Sequence, residues 1–380
     1  MKIALIRSAV HRKGGVERYV WHLAGELARR GHDVHLIARR CPELPHPSVK
    51  FHPVIVDGLF SFLKVLSFAS KAGMLVAAGN YDVVHSCDRI FNCDIYRAGE
   101  GVHREWLDVS ARFMPGWKSA LKYLDPLHRV LLRIETRLMR NGGARRVTAI
   151  SKRGAEEISR HYGRENVPVI YNGVDPEEFR PSSREEKADL REKYYIPENA
   201  FVVLYVGSGF YRKGLRYLIE GFAHLDNGKR TPLLLISGKG NIRPYERLAR
   251  ALGVSGQVRF LGVDIPVPHL YGAADVFVFP TLYEPFGNVC LEALASGLPC
   301  VFSSCSGGAE IVEDGVSGLI LGDPTDAEEI AQHIRLCMDS EKAISMGRAA
   351  SALAQKFSVA ANADQNETLY REIMAEKGLS

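Results

Sequence analysis

Two carboxylates with seven residues between them mark the most chemically pointed stretch of this chain. From Asp275 to Pro299 it reads D-V-F-V-F-P-T-L-Y-E-P-F-G-N-V-C-L-E-A-L-A-S-G-L-P. Val276–Phe279 has the unbroken apolar character of a buried strand, and Pro280 ends it. Glu284 then falls in the loop at that strand's carboxyl end, where open α/β sheets hold ligands. Asn288 reads as a helix N-cap, 289–295 as the helix, and Gly297 as its stop. Glu292 therefore stands one turn into the helix. The backbone N–H groups of Phe286, Gly287, Asn288 and Val289 would form an anion site, flanked by two carboxylates able to accept from hydroxyls. A phosphate joined to polyhydroxyl rings suits that chemistry. Either glutamate alone would read as an ordinary turn cap or helix-surface group.

Three other constellations deserve the same reading. Arg212 and Lys213 follow a fully apolar strand at 201–206 and the turn Gly207-Ser208-Gly209. By themselves they fit a solvated pair as well as an anion clamp. Gly14 and Gly15 make a turn between a strand at 3–6 and an amphipathic helix that runs to Arg30 and stops at Gly31. Glu100 and His103 lie three apart, so a helix or turn would bring both to one side. A surface acid and a half-buried histidine fit there too.

The elements that must position these residues follow a strand-then-helix pattern, twice over. Strands are expected at 3–6, 34–38, 82–85, 147–150 and 167–170, then at 201–206, 233–236, 258–261, Val276–Phe279 and 299–303. Helices fill the gaps, which implies parallel sheets covered on both faces. Asp125-Pro126 opens one helix with an N-cap acid and a first-position proline. Its apolar positions Leu127, Val130, Leu131, Ile134 and Leu138 run beside a stripe of Arg129, Arg133, Arg137 and Arg140. The turn Asn172-Gly-Val-Asp-Pro176 marks a domain boundary, giving domains over 1–170 and 171–359. No run reaches the ~20 apolar residues of a membrane span. The nearest, 54–78, is interrupted by Asp57, Lys64 and Lys71 and reads as a buried or amphipathic helix after a loop.

Charge and cysteines narrow the class. From 97 to 153 there are thirteen Lys/Arg against five acids, a surplus of +8 on a chain whose net charge is +5. Such a block suggests an anionic partner for the first half, and it reads as a solvated surface, a membrane-surface patch or a docking site for an anionic acceptor, with no nucleic acid expected. Seven cysteines without a C-x-x-C pair point to reduced thiols in a cytoplasmic protein rather than disulfides or zinc. Neither Gly207-Ser-Gly209 nor Gly238-Lys-Gly240 completes G-x-G-x-x-G, because Arg212 and Arg243 take the last place. That argues against a dinucleotide-dependent oxidoreductase.

The Glu284–Glu292 spacing resembles the E-x7-E motif of the family 4 retaining glycosyltransferases of GT-B fold. Gly14-Gly15-Val16-Glu17, Thr148-Ala-Ile-Ser151, Val169-Ile-Tyr-Asn-Gly-Val-Asp175, Arg212-Lys213-Gly214, Gly307-Gly308-Ala309-Glu310-Ile311 and Asp314-Gly-Val-Ser-Gly318 are similar to that family's motifs, in its order, over nearly the whole chain.

The resemblance implies an α/β GT-B architecture, two facing Rossmann-like doubly wound domains with a cleft between them. The first would bind the acceptor, with a helix at about 360–380 packing back on it, and the second the nucleotide sugar. It implies Glu292 on the ribose hydroxyls, and Glu284 on the transferred sugar with the Phe286 and Gly287 amides. Asn288 and Val289 would share in donor binding. Arg212 and Lys213, with Gly14, Gly15 and Gly207, would hold the diphosphate. Glu100 or His103 would orient the acceptor hydroxyl or its departing proton. No cofactor or metal is implied, and no D-x-D occurs. The pattern of Asp94–His103 and of Gly207–Gly214 resembles the subgroup that glucosylates the heptose region of a lipopolysaccharide core. The expected donor is UDP-glucose and the expected place the inner face of the cytoplasmic membrane. Other expectations are a different donor such as GDP-mannose, or a GT-B protein that binds nucleotide sugars without transferring them.

Overall fold

The strand order 3-2-1-4-5-6 is built twice. In the computed structural model, which describes all residues except 13, 114–120, 141, 227, 229 and 380, the first sheet comprises β1 (Lys2–Ile6), β2 (Asp33–Ala38), β3 (Lys50–Pro53), β4 (Val83–Ser86), β5 (Cys93–Arg97) and β6 (Ala144–Thr148). Its order is β3-β2-β1-β4-β5-β6. The second comprises β7 (Ala200–Val206), β8 (Thr231–Ser237), β9 (Val258–Gly262), β10 (Val276–Phe279), β11 (Cys300–Ser303) and β12 (Leu319–Leu321), in the order β9-β8-β7-β10-β11-β12. The pairings within both sheets are parallel. Two compact units result, residues 1–173 with 359–380, and residues 174–358.

Central strands that are apolar on both faces require helices on both sides, and the sequence supplies them. In the first unit α1 (Val16–Arg29) covers one face with Tyr19, Leu23 and Leu27. The other face receives α2 (Ser61–Ala78), α4 (Pro126–Met139) and α5 (Lys152–Tyr162), while α3 (His103–Arg112) lies against α4 and α5. Asp125 caps α4 by accepting from the Leu127 N–H at 2.8 Å. The second unit carries α6 (Arg184–Lys193), α7 (Leu215–Phe222), α8 (Arg243–Ala251), α9 (Val267–Ala273), α10 (Asn288–Ala295), α11 (Ala327–Met338) and α12 (Ser340–Ala354). The last helix, α13 (Val359–Glu376), returns to the first unit and packs beside α1 through Leu369, Tyr370 and Ile373. Polar contacts fix it there: the Tyr370 hydroxyl meets His85 Nδ1 at 2.7 Å, and Lys377 pairs with Asp94 at 2.8 Å.

Several expectations need correction. Residues 167–170 form no strand; one bridge, Ala149 to Val169, is all that pairs there. The strand expected at 147–150 lies at Ala144–Thr148. Strands β3, β5 and β12 went unread because they are short or polar. Only Phe68, Ala69 and Ala72 of α2 are buried, so the helix is neither buried nor cleanly two-faced. The basic stretch is also not one surface. Arg97 is fully buried against the Tyr19 ring and Asn172, and Arg145 and Arg146 pair with Asp94 and Glu376. Lys118 of that stretch, like Lys13 of the first glycine turn, lies outside the described residues.

Gly214 ties the second sheet's two central loops together. Its φ is +70°, and a Cβ there would stand 1.8 Å from the Pro280 carbonyl oxygen. Gly214→Ala should therefore cost about 2–4 kcal/mol, read as a lowered urea midpoint. Wild-type stability in that variant would contradict the close approach.

Candidate active site

The second sheet changes direction of growth between β7 and β10, so the loops leaving their carboxyl ends diverge and open a place for a ligand. Arg212 and Lys213 sit in the first loop and Glu284 in the second. Arg212 Nη1 lies 3.1 Å and Lys213 Nζ 3.5 Å from Glu284 Oε2. Backbone bonds lock the loops to each other: Arg212 Nη1 donates to the Tyr283 carbonyl at 2.6 Å, and the Arg212 carbonyl accepts from the Leu282 N–H at 2.9 Å. Gly207 clears the path of Lys213, since a Cβ there would stand 2.7 Å from Lys213 Cδ. Burial disfavours the Glu284 charge, but Lys213 and Arg212 outweigh it and hold this carboxyl below its ordinary range. Each charge is thus kept in place by the other two.

The backbone of Glu284 is stitched to a third loop. Its N–H donates to the Cys305 carbonyl at 3.1 Å, and its carbonyl accepts from the Gly307 N–H at 3.0 Å. Ser306 Oγ donates to the Phe286 carbonyl at 3.1 Å, and Phe286 is fully buried. Helix α10 starts one residue earlier than expected. Gly287, at φ +86°, is the N-cap and Asn288 is the first helical residue, because glycine alone takes that left-handed entry without strain. Being glycine, the N-cap has no side chain with which to cap the first turn. Glu292 is buried one turn on, with Oε2 accepting from the Tyr271 hydroxyl at 3.2 Å. The same hydroxyl reaches the Val289 carbonyl at 3.1 Å. Arg212, Lys213, Glu284, Gly287 and Glu292 are therefore gathered in one unit.

The first unit repeats the topology with different chemistry. Arg7 follows β1 and Arg89 follows β4, again at the reversal of strand order. Both clamp Glu100, Arg7 at 2.8 Å from Oε1 and Arg89 at 2.8 Å from Oε2. Although burial opposes its charge, the two guanidiniums hold the Glu100 carboxyl down at about 2. Glu100 is thus a carboxylate anion held between two guanidiniums. Arg89 also pairs with the fully buried Glu135 at 2.9 Å. Glu135 accepts the His103 N–H at 2.9 Å and the Arg104 N–H at 3.3 Å, serving α3 as a cap brought in from α4.

His103, the first residue of α3, places Nε2 3.0 Å from His128 Nδ1. Burial, then the Arg89 charge, lower its pKa to about 4, so the ring is neutral near pH 7. Gly14 has φ +96°, and Gly15 is the N-cap of α1 without a side-chain cap. Glu105, Asp108 and His161 come within metal-ligand distance of one another, but Arg160 and His161 already hold Glu105, and Tyr123 donates to Asp108.

With this geometry in hand, similarity to known proteins becomes informative. Residues 13–178 match the model of Glycosyltransferase Family 4, and residues 186–353 match that of Glycosyl transferases group 1. The lipopolysaccharide glucosyltransferase WaaG of Escherichia coli is 28% identical over 342 residues, 85% of each chain. The chain belongs to the family 4 glycosyltransferases. An uncharacterized glycosyltransferase of Methanocaldococcus jannaschii is 39% identical over 179 residues, a match that spans about half of either protein (46%). A crystal structure of WaaG covers 97% of this glycosyltransferase at a TM-score of 0.83 and 22% identity, and 99% of its own chain. Anabaena HepE in complex with UDP-glucose covers 97%, and 99% of its own chain, at 0.74 and 22%. The fold is GT-B.

Sequence reasoning missed the residues that hold the functional ones: Tyr271, Ser306, Arg7, Arg89, Glu135 and His128. Each reaches its partner from a segment remote in sequence, so no local spacing announces it. The glycosyltransferase also carries a pH-dependent stability. His103 and the buried His85, lowered to about 3 by burial and then Arg97, stay neutral when folded. Below about pH 6.5 the unfolded chain protonates both while the folded chain does not, until pH falls through about 4 and then 3. Stability should thus be full above pH 6.5 and fall below it, by up to about 1.4 kcal/mol per pH unit for each ring. In urea unfolding between pH 7 and 4.5, His103→Gln should flatten this slope. An unchanged slope would show that His103 is not held neutral.

Proposed function

We propose that this glycosyltransferase moves a hexose from a nucleotide diphosphate to an anionic glycan or glycolipid, with retention and without a metal. UDP-glucose is the donor favoured here, and a lipopolysaccharide core heptose the acceptor. The observation that carries the reading is the mutual clamp of Arg212, Lys213 and Glu284 beside the start of α10. Two cations and a helix N-terminus can take a diphosphate, and two carboxylates can take sugar and ribose hydroxyls. Names of relatives support donor and acceptor class: WaaG is a lipopolysaccharide glucosyltransferase, and HepE binds UDP-glucose.

In the proposed reaction the bond from C1 of the sugar to the diphosphate oxygen breaks, and its electron pair leaves with the nucleotide. The new bond forms from the acceptor oxygen to C1 on the same face, and the acceptor proton passes to the departing phosphate oxygen. Arg212 and Lys213 stabilise the charge that grows on that phosphate, the step where fixed cations matter most. Glu284 and Glu292 orient the sugar and the ribose. Gly14, Gly15 and Gly207 offer backbone to the diphosphate, and the Phe286 to Val289 backbone offers N–H groups. His103, neutral, receives an acceptor hydroxyl as hydrogen-bond partner rather than as an acid. Arg129 and Arg133, exposed on α4, favour an acceptor at an anionic membrane surface, on the cytoplasmic side.

A thermal-shift panel should single out UDP-glucose, with about 2.7 kcal/mol of stabilisation at 100 times the dissociation constant. Hydrolysis of that donor, accelerated by a phosphorylated heptose acceptor, should persist in EDTA and give the α-configured product. Lys213→Ala and Glu284→Gln should each lower turnover by about 100-fold or more. A preference for GDP-mannose would move the donor assignment. Binding without turnover for every donor and acceptor would leave a nucleotide-sugar binder.

A further inference from the structure

Helix α2 and the loop before it carry the most conspicuous apolar surface of the first unit. Ile55, Leu59 and Phe60 are 76%, 89% and 62% exposed, and Leu63 and Met74 are also exposed. The helix has the length and composition of a membrane-crossing segment, yet only three of its residues are buried. Those three, Phe68, Ala69 and Ala72, bind it to the sheet and to Ile134, Leu138 and Met139 of α4. Val65, Leu66, Leu75 and Val76 are half-buried against the same cluster, while Ile55, Leu59, Phe60, Leu63 and Met74 project to the outside. Phe60 and Phe62 stack with ring centroids 5.9 Å apart, which holds the tip together.

Charge around the tip is net positive. Its single acid, Asp57, is paired with Lys71, and Lys64 is exposed. The helix against which α2 packs carries Arg129 and Arg133, exposed and without an ion pair among the described residues. Bulky apolar side chains protruding next to exposed Lys64, on a helix whose packing partner carries two more exposed cations, are complementary to one kind of surface, an anionic bilayer, where the apolar groups enter the acyl boundary and the cations meet phosphates.

We propose that residues 55–63 seat this glycosyltransferase on an anionic membrane by inserting Leu59 and Phe60 into the lipid. The inference deepens the membrane-surface part of the reading above and rests on it, but not on the identity of the donor. Insertion, unlike attraction by charge alone, leaves binding that survives high salt in part.

The test uses flotation of the full chain with phosphatidylcholine vesicles, with and without phosphatidylglycerol. The wild type should bind the anionic vesicles and retain a fraction of that binding in 0.5 M salt, on the order of a few Debye-screened cations' worth being lost. Leu59→Glu with Phe60→Glu should weaken binding at least tenfold, at an unchanged urea midpoint and unchanged donor hydrolysis. Phe60→Trp should show a blue-shifted emission on anionic vesicles beyond that of the wild type. Three results would overturn the proposal: full binding by the double glutamate variant, an unmoved Phe60→Trp spectrum, or a wild-type dimer that the double variant splits without either protein floating. Donor hydrolysis that fails while vesicle binding follows these expectations would remove the transferase reading and leave the seating element standing.

Discussion

A parallel sheet that grows first to one side of its opening strand and then to the other leaves two loops parting at its centre. No helix can cross that gap, so backbone ends and side chains from both loops remain available to a ligand. Both units here obey the constraint, and each fills the gap with arginine. In the second unit the cations face one carboxylate, Glu284, and the set stays accessible to an anion. In the first, Arg7 and Arg89 are consumed by Glu100, Asp88, Glu17 and Glu135. The same topology therefore yields a partly exposed charged set in one place and a rigid frame in the other.

Buried charge is the price of that frame, and the network shows how it is met. Glu135 is fully buried, and its oxygens accept from Arg89, Tyr162 and the backbone N–H groups of His103 and Arg104. Removing one partner from such a set costs more than adding it gained, because the others are left uncompensated in a low-dielectric site. The consequence is positional: the start of α3, and with it the His103 ring, is fixed by a fully buried group brought in from α4. Tyr271 stands in a similar relation to Glu292, holding one carboxylate oxygen and leaving the orientation of the other defined.

The sequence was legible where local pattern and tertiary role coincide. Strands β7, β8 and β10 are apolar on both faces, so their composition and their burial say the same thing. Glu284 and Glu292 could be found because a strand, a turn and a helix fix their spacing within one short segment. Strand β5 could not, since C-D-I-Y-R looks like a polar loop until its partners are known. Asp94 accepts from the Val84 N–H and from Lys377, and Arg97 is enclosed by Tyr19 and Asn172, all distant in sequence. Counting charges over 97–153 failed for the same reason, because the fold turns some inward and pairs others. The apolar character of α2 was visible, but its exposure depends on which neighbours are absent from its outer side.

The return of α13 to the first unit bears on the order in which the protein forms during synthesis. Residues 174–358 are a continuous stretch and can complete their own sheet as soon as they leave the ribosome. The first unit has its six strands earlier, yet one face of its sheet lacks Tyr370 and Ile373 until residues 359–373 have been made. At ribosomal speeds that delay is on the order of ten seconds or more. Through it, His85 and the apolar surface beneath α13 are open to solvent, so the half made first is the half finished last.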